Sequence, residues 1–370
     1  MTDLLRQARH DFPNYAGISL VGMTATDQVL WTAYPAVNDA HSVRDVFRWE
    51  NGTIRNLGAL PAGMNTPAFN NNSEIAGTDF NPHSIPIPVA SFARFPRVHA
   101  FLWEPGKVTM LSTLGRGFGS VVGLNDRGQV AETGMGSVSR RFRGLLWQDG
   151  KVTDLGTLGG KSSFATAISA SGQVIGNSWL PNGTSHGFLW QDGRMRDLGG
   201  IPGATYGPAA INDHSQIVGT WTKAKDRAPE RAFLWQNGKI IDLGAPAGQL
   251  IDTITINNRG QVIWTSQNGS GPVMHGFLWQ RGKLTNLGTL NGMSIAVSAI
   301  NDRGQIVGTN APASKPFNKQ HAFIWQNGTM TQLPGPAIKA YTMDIDQTGT
   351  HIVLGGPCCQ RQLLLWTRRG

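Results

Sequence analysis

The chain has almost no cysteine: its 370 residues hold two, the adjacent Cys358 and Cys359. Neighbours in sequence cannot build a disulfide framework, so two free thiols are expected and packing must hold the fold. Charge is sparse as well, at 15% of residues. No run of 18 or more apolar residues occurs, which excludes a membrane-spanning helix. Residues 1–15 are polar and lack the apolar centre of a secretion signal. A cytoplasmic protein and a trimmed secreted form both fit this start. The familiar catalytic signatures are missing too. There is no His-Glu-x-x-His zinc helix, no Gly-x-Ser-x-Gly elbow and no Gly-x-x-x-x-Gly-Lys-Ser/Thr phosphate loop. Residues 115–119 are glycine-rich but fall in an ordinary connection between repeats.

Glycine, proline and tryptophan are abundant, at 47, 20 and 12 residues, which suggests many turns and little helix. A tryptophan closes a short apolar run eight times, at Trp49, Trp103, Trp147, Trp190, Trp235, Trp279, Trp325 and Trp366. After a longer first gap the spacing holds at about 44 residues, a length that matches a four-stranded propeller blade. Asn51-Gly52, Asp149-Gly150, Asp192-Gly193, Asn237-Gly238 and Asn327-Gly328 follow their tryptophans as tight hairpin turns, and a short strand such as 151–156 comes next.

A second hairpin recurs, as in Ala299-Ile300-Asn301-Asp302-Arg303-Gly304-Gln305-Ile306. Its small polar turn residue is Thr24, Asn70, Asn125, Ser169, Asn212, Asn257, Asn301 and Asp346 in turn. Carboxylates are too few at these turns for a calcium cage. Two hairpins per repeat give four strands. The expected fold is all-β: an eight-bladed β-propeller of four-stranded antiparallel blades, forming one domain over 1–370. Blades fall at roughly 17–60, 61–114, 115–159, 160–202, 203–247, 248–290, 291–336 and 337–370 with 1–16. Small residues such as Ser298 and Ala299 place the strand before the polar turn innermost. The tryptophan strand is then third, and its aromatics fill the layers between blades. Because the chain stops after Trp366, its outer strand is expected from the other end. Thr2-Asp3-Leu4 copies Thr153-Asp154-Leu155, so residues near 1–6 should complete the last blade and close the ring.

The pattern resembles the HAF repeat family, named for a His-Ala-Phe tripeptide. It stands intact at His99-Ala100-Phe101 and His321-Ala322-Phe323 and varied at His186-Gly187-Phe188, His275-Gly276-Phe277 and Arg231-Ala232-Phe233. Residues 155–159, Leu-Gly-Thr-Leu-Gly, fit as well, while the first blade departs most. The resemblance covers nearly the whole chain. It implies an extracellular repeat protein and supplies no reaction. The four histidines lie on third strands of different blades, too far apart to share an ion, so no metal or cofactor is expected.

The net charge of +9 favours an acidic partner. In a four-stranded blade, the loops joining strands 2 and 3 share a face with the links between blades, and most of the positive charge falls in those loops. Arg140, Arg141 and Arg143 form the densest group, joined by Arg94, Arg97, Lys223, Lys225, Arg227, Lys315 and Lys319. This predicts a non-enzymatic scaffold, monomeric, that engages an acidic protein or an anionic polysaccharide through a basic, loop-rich face. A solvated surface that only keeps the protein soluble is the plainer reading of the same charge. Nucleic acid fits less well, since Phe80, Phe92, Phe95 and Phe317 are the aromatic residues evident in these loops. The alternative is a secreted polysaccharide lyase or hydrolase with its site at the axial mouth of the same face. Its candidate groups are His41, His83, Tyr34 and the arginines.

Overall fold

The computed structural model describes residues 2–12, 15–35, 43–60, 64–79, 99–111, 119–135, 141–201, 203–223, 230–244, 249–268, 273–290, 292–312, 320–335, 342–355 and 363–368. They form eight four-stranded antiparallel sheets. In order the blades take their strands from 15–60, 64–110, 119–154, 163–197, 204–244, 249–286, 294–332 and 342–367. Each sheet runs in simple chain order except the last, whose outermost strand is Thr2–Asp3. The first strand of each blade touches the first strand of the next around the whole circle, so these strands line the axis.

Local chemistry dictates this plan. At the outer hairpins Asn51, Asp149, Asp192, Asn237 and Asn327 have φ near +50°, and each following glycine has φ near +80°. That pair of left-handed residues twists a two-residue turn to match its strands. Blade 6 does the same with Arg281 and Gly282. The inner hairpins use the polar turn residue differently. Asn257 Oδ1 accepts Arg259 N at 3.1 Å and Gln261 N at 2.9 Å, while its amide donates to Gln261 Oε1 at 2.7 Å. A one-residue bulge interrupts pairing of the first two strands, for instance between Ala165 and Ala167 and between Val297 and Ala299. The tryptophans lie between blades. Trp103 is fully buried and donates from Nε1 to Ala59 O of the preceding blade at 2.8 Å.

Closure holds with one correction. Thr2 pairs with Leu365 and Asp3 with Leu364, and Leu4 N still donates to Leu363 O at 2.9 Å. The strand ends there rather than running to residue 6, because a helix, Leu4–Asp11, takes over. Asp3 caps it by accepting Arg6 N at 3.1 Å. The run Leu-Leu-Arg-Gln-Ala-Arg has high helix propensity. Leu4 is fully buried among Ile18, Leu20, Trp31, Val353, Leu363 and Leu365, so it ties blades 8 and 1 together.

Candidate functional face

The inner turn of every blade and the outer turn of blades 1 to 7 lie on one face. On the other face the second strand of each blade ends and the third begins, and there too one blade's fourth strand gives way to the next blade's first. On the loop-rich face, Arg141 and Lys223 are exposed at the margins of their connections. Arg143 is tied down: Nη1 donates to Lys161 O at 2.7 Å, and Nε lies 3.6 Å from the Asp154 carboxylate. Arg94, Arg97, Arg140, Lys225, Arg227, Lys315, Lys319, His41 and His83 lie outside the described residues. So do Cys358 and Cys359.

Arg143 shares its repeat position with the histidine of the His-Ala-Phe tripeptide, and in blades 3, 4 and 5 this position holds a carboxylate. His186 Nδ1 lies 3.0 Å from Asp197, and Arg231 Nη2 donates to Asp242 at 2.6 Å. In each case a group at the start of the third strand bonds a carboxylate at the end of the fourth. The same carboxylates accept a backbone N–H two residues on, from Gly156 at 2.8 Å, Gly199 at 2.7 Å and Gly244 at 2.9 Å. The Asp-Leu-Gly end of the blade is thereby folded back, and the glycine adopts φ near +80°. Arg143, His186 and Arg231 thus fasten strand edges in three separate blades, whereas Nδ1 of His275 and of His321 is buried without a partner among the described residues.

Two groupings on this face escaped sequence reasoning. Phe142, Phe164 and Trp179 form a half-buried aromatic cluster across blades 3 and 4, with ring centroids 4.7 Å and 5.4 Å apart. Next to it in blade 5, the Arg231 guanidinium lies 5.5 Å from the Trp221 ring. Each ring sits at the loop-side end of a strand, but the rings are far apart in sequence. The Phe142–Phe164 contact is the one that depends on the ring order of the blades.

The second grouping is in blade 1. Tyr15 OH donates to the Asp45 carboxylate, which also accepts Asn56 Nδ2 at 2.8 Å. Burial, then Asp45, pushes the Tyr15 phenol up to about 12, so it holds its proton at neutral pH. Tyr34 OH accepts Arg44 Nη1 at 3.1 Å, with the guanidinium 5.2 Å from the Tyr34 ring. This grouping spans the four strands of blade 1, from Tyr15 on the innermost to Asn56 on the outermost.

No protein-family model matches the chain, and no curated protein matches it. Solved structures do match, all at low identity. The β-propeller domain of the Trilobed protease from Pyrococcus furiosus aligns at a TM-score of 0.56 and 11% identity, over 87% of this chain and 97% of that one. A prolyl endopeptidase aligns at 0.59 and 10%, over 95% of this chain and 56% of its own. Prolyl oligopeptidase B from Galerina marginata aligns at 0.56 and 9%, over 95% and 57%. This chain is a β-propeller. It spans a little over half the length of those two oligopeptidases, and the likeness is one of fold.

Proposed function

We propose that the chain is a binding scaffold of HAF-type repeats that engages an anionic partner through its loop-rich face. The observation that carries this reading is the segregation of the blade's connections. Tight, geometrically fixed turns occupy one face, and the strands that flank the arginine- and lysine-bearing segments of the sequence end on the other, where Arg141 and Lys223 are exposed. A rigid ring holding several basic loops on one side concentrates positive potential there and attracts a polyanion. The Phe142–Phe164–Trp179 cluster supports an anionic polysaccharide over an acidic protein, because half-buried rings offer a flat apolar surface to the C–H face of a sugar.

Titration of the full chain with polygalacturonate and with poly-glutamate, at low and high salt, tests this. Binding that weakens steeply with salt, and by about tenfold or more when Arg140, Arg141 and Lys223 are replaced by alanine, is the expected result. Salt-independent binding, or none to either polymer, would sink the reading. The lyase or hydrolase reading makes its own demand: product must form from the polysaccharide, and His41→Ala with His83→Ala must abolish it.

A further inference from the structure

Four ionisable residues break the repeat, and all four meet at the seam where blade 8 closes onto blade 1. The position two before the inner turn residue is glycine, alanine or threonine in blades 1 to 7 but Asp344 in blade 8. The turn residue, asparagine in five blades, is Asp346. The left-handed turn position is glycine or serine in blades 2 to 8 but Asp27, at φ +64°, in blade 1. The residue opening the second strand is glutamine in six blades but His351 in blade 8, which follows one extra turn residue.

Elsewhere this glutamine makes a neutral contact with the next blade's turn. Gln173 Nε2 donates to Ser215 Oγ at 2.8 Å, and Gln261 stands so close to Gly304 that a side chain there would crowd it. At the seam, His351 takes that place. Its Nδ1 lies 3.2 Å from Asp346 Oδ2 and 4.0 Å from Asp27 Oδ2, and acid and imidazole atoms of the trio all lie within 4.8 Å of one another. Asp346 is buried and held as an acceptor: Oδ1 takes Thr350 N at 2.8 Å, and Oδ2 takes His351 N at 2.9 Å and Thr348 Oγ1 at 2.8 Å. Asp27 Oδ1 is buried with no partner among the described residues. Asp344 spans the seam by accepting Met23 N at 3.3 Å and also takes Ile345 N at 2.9 Å. The Trp49 ring stands edge-on 5.4 Å from His351. Asp346 and His351 are the ionisable groups facing Asp27, and Asp346 is the one facing Asp344.

We propose that this seam is a proton-controlled clasp: proton uptake by Asp27 and Asp344, packed against Asp346 and His351, tightens closure of the ring, and proton release loosens it. Two carboxylates beside one imidazole, with a third, buried carboxylate facing Asp346, cannot all carry charge at low cost where burial removes water. The carboxyls respond accordingly. Burial first, then Asp346, raises Asp27 to about 6, with His351 opposing, and burial raises Asp344 to about 6. Both folded values exceed the unfolded one. The stabilisation is therefore fully present at about pH 4 and below, and is lost as pH rises through about 6.

Hydrogen exchange of the intact protein at about pH 5.5 and about pH 7.5, corrected for intrinsic exchange, tests the clasp. The comparison is with a variant carrying the repeat's own residues, Asp27→Gly, Asp344→Ala, Asp346→Asn and His351→Gln. Protection of the amides of 2–4, 23–25 and 363–367 should fall about tenfold or more between the two pH values in the parent. It should hold steady in the variant, and strand Val174–Trp179 should serve as an unaffected reference. Equal pH dependence in both proteins, or protection that rises with pH, overturns the proposal. If the fourfold variant does not fold, Asp27→Gly alone supplies the comparison, since glycine suits that backbone. Melting with manganese or zinc, and again after chelation, provides a further readout. No shift is expected. A metal-induced rise that Asp27→Gly removes would make this a cation site and overturn the proton clasp.

Discussion

Glu132 occupies a second-strand position that is glycine in four blades, tryptophan in two (Trp31 and Trp264) and Leu354 in blade 8. It is fully buried, and neither carboxyl oxygen has a partner among the described residues. Burial pushes it up to about 7. Its folded value lies above its unfolded one, so its ionisation costs nothing at low pH, where only the unpaired neutral carboxyl remains buried. It costs progressively more as pH rises from about 4.5 to about 7, reaching roughly 3 kcal/mol. Glu132→Leu, which matches the blade 8 residue, should raise the melting temperature at about pH 8 by several degrees and by distinctly less at about pH 4.5. A melting series across pH checks both. The seam residues remain in this variant, so the part of the pH dependence that survives is theirs. Nothing in the local sequence marks Glu132 as buried and unpaired. That follows from the packing of blade 3 against blade 2, where Val121 N, paired across the sheet from Glu132, donates to Thr78 Oγ1 at 3.2 Å.

At the scale of the element, the inner hairpins do more than turn the chain. Their asparagines also link blades: Asn212 Nδ2 donates to Asn257 O at 2.9 Å, Asn257 to Asn301 O at 2.8 Å, and Asn301 to Asp346 O at 3.0 Å. Asn70 and Asn125 continue the pattern at 3.0 Å and 3.2 Å. Asn257→Ala strips two backbone N–H groups and one carbonyl of buried partners and should cost about 2–4 kcal/mol by chemical denaturation, well above a surface substitution. The hairpins were the most legible part of the chain. Asn-Gly and Asp-Gly carry their own backbone geometry, and the polar residue at each inner turn marked where one strand ends and another begins. The link to the next blade was hidden, because the accepting carbonyl lies about 44 residues away and any residue can supply it. The helix at Leu4 was hidden for the opposite reason. Thr2-Asp3-Leu4 copies an outer strand closely, and only the helix-favouring run after it stops the copy. On the loop-rich face, the positive charge could be read from composition. The aromatic cluster could not, because Phe142 and Phe164 meet only when blades 3 and 4 are placed side by side.

For the whole molecule, the ring depends on a short closing segment. Thr2 and Asp3 supply the outer strand of blade 8, and Leu4 fills the layer against blade 1. Removing residues 1–8 should lower the melting temperature by about 5 °C or more and increase protease cutting within blade 8, since Leu4 alone buries a full apolar side chain. An unchanged melting temperature would show that the ring closes without this strand.

The pairing of Thr2 with Leu365 also sets how the molecule answers force. The two strands are antiparallel, and residues 2 and 368 emerge at the same end of the pair. A load applied across them, as in a single-molecule tether, strains the Thr2–Leu365 contact first and the Asp3–Leu364 contact next. It never loads both together as a shear along the strands would. The ring should therefore peel open at low tension, although the same closure resists heat, and a tether at residues 2 and 368 should record a small early yield before any blade unravels.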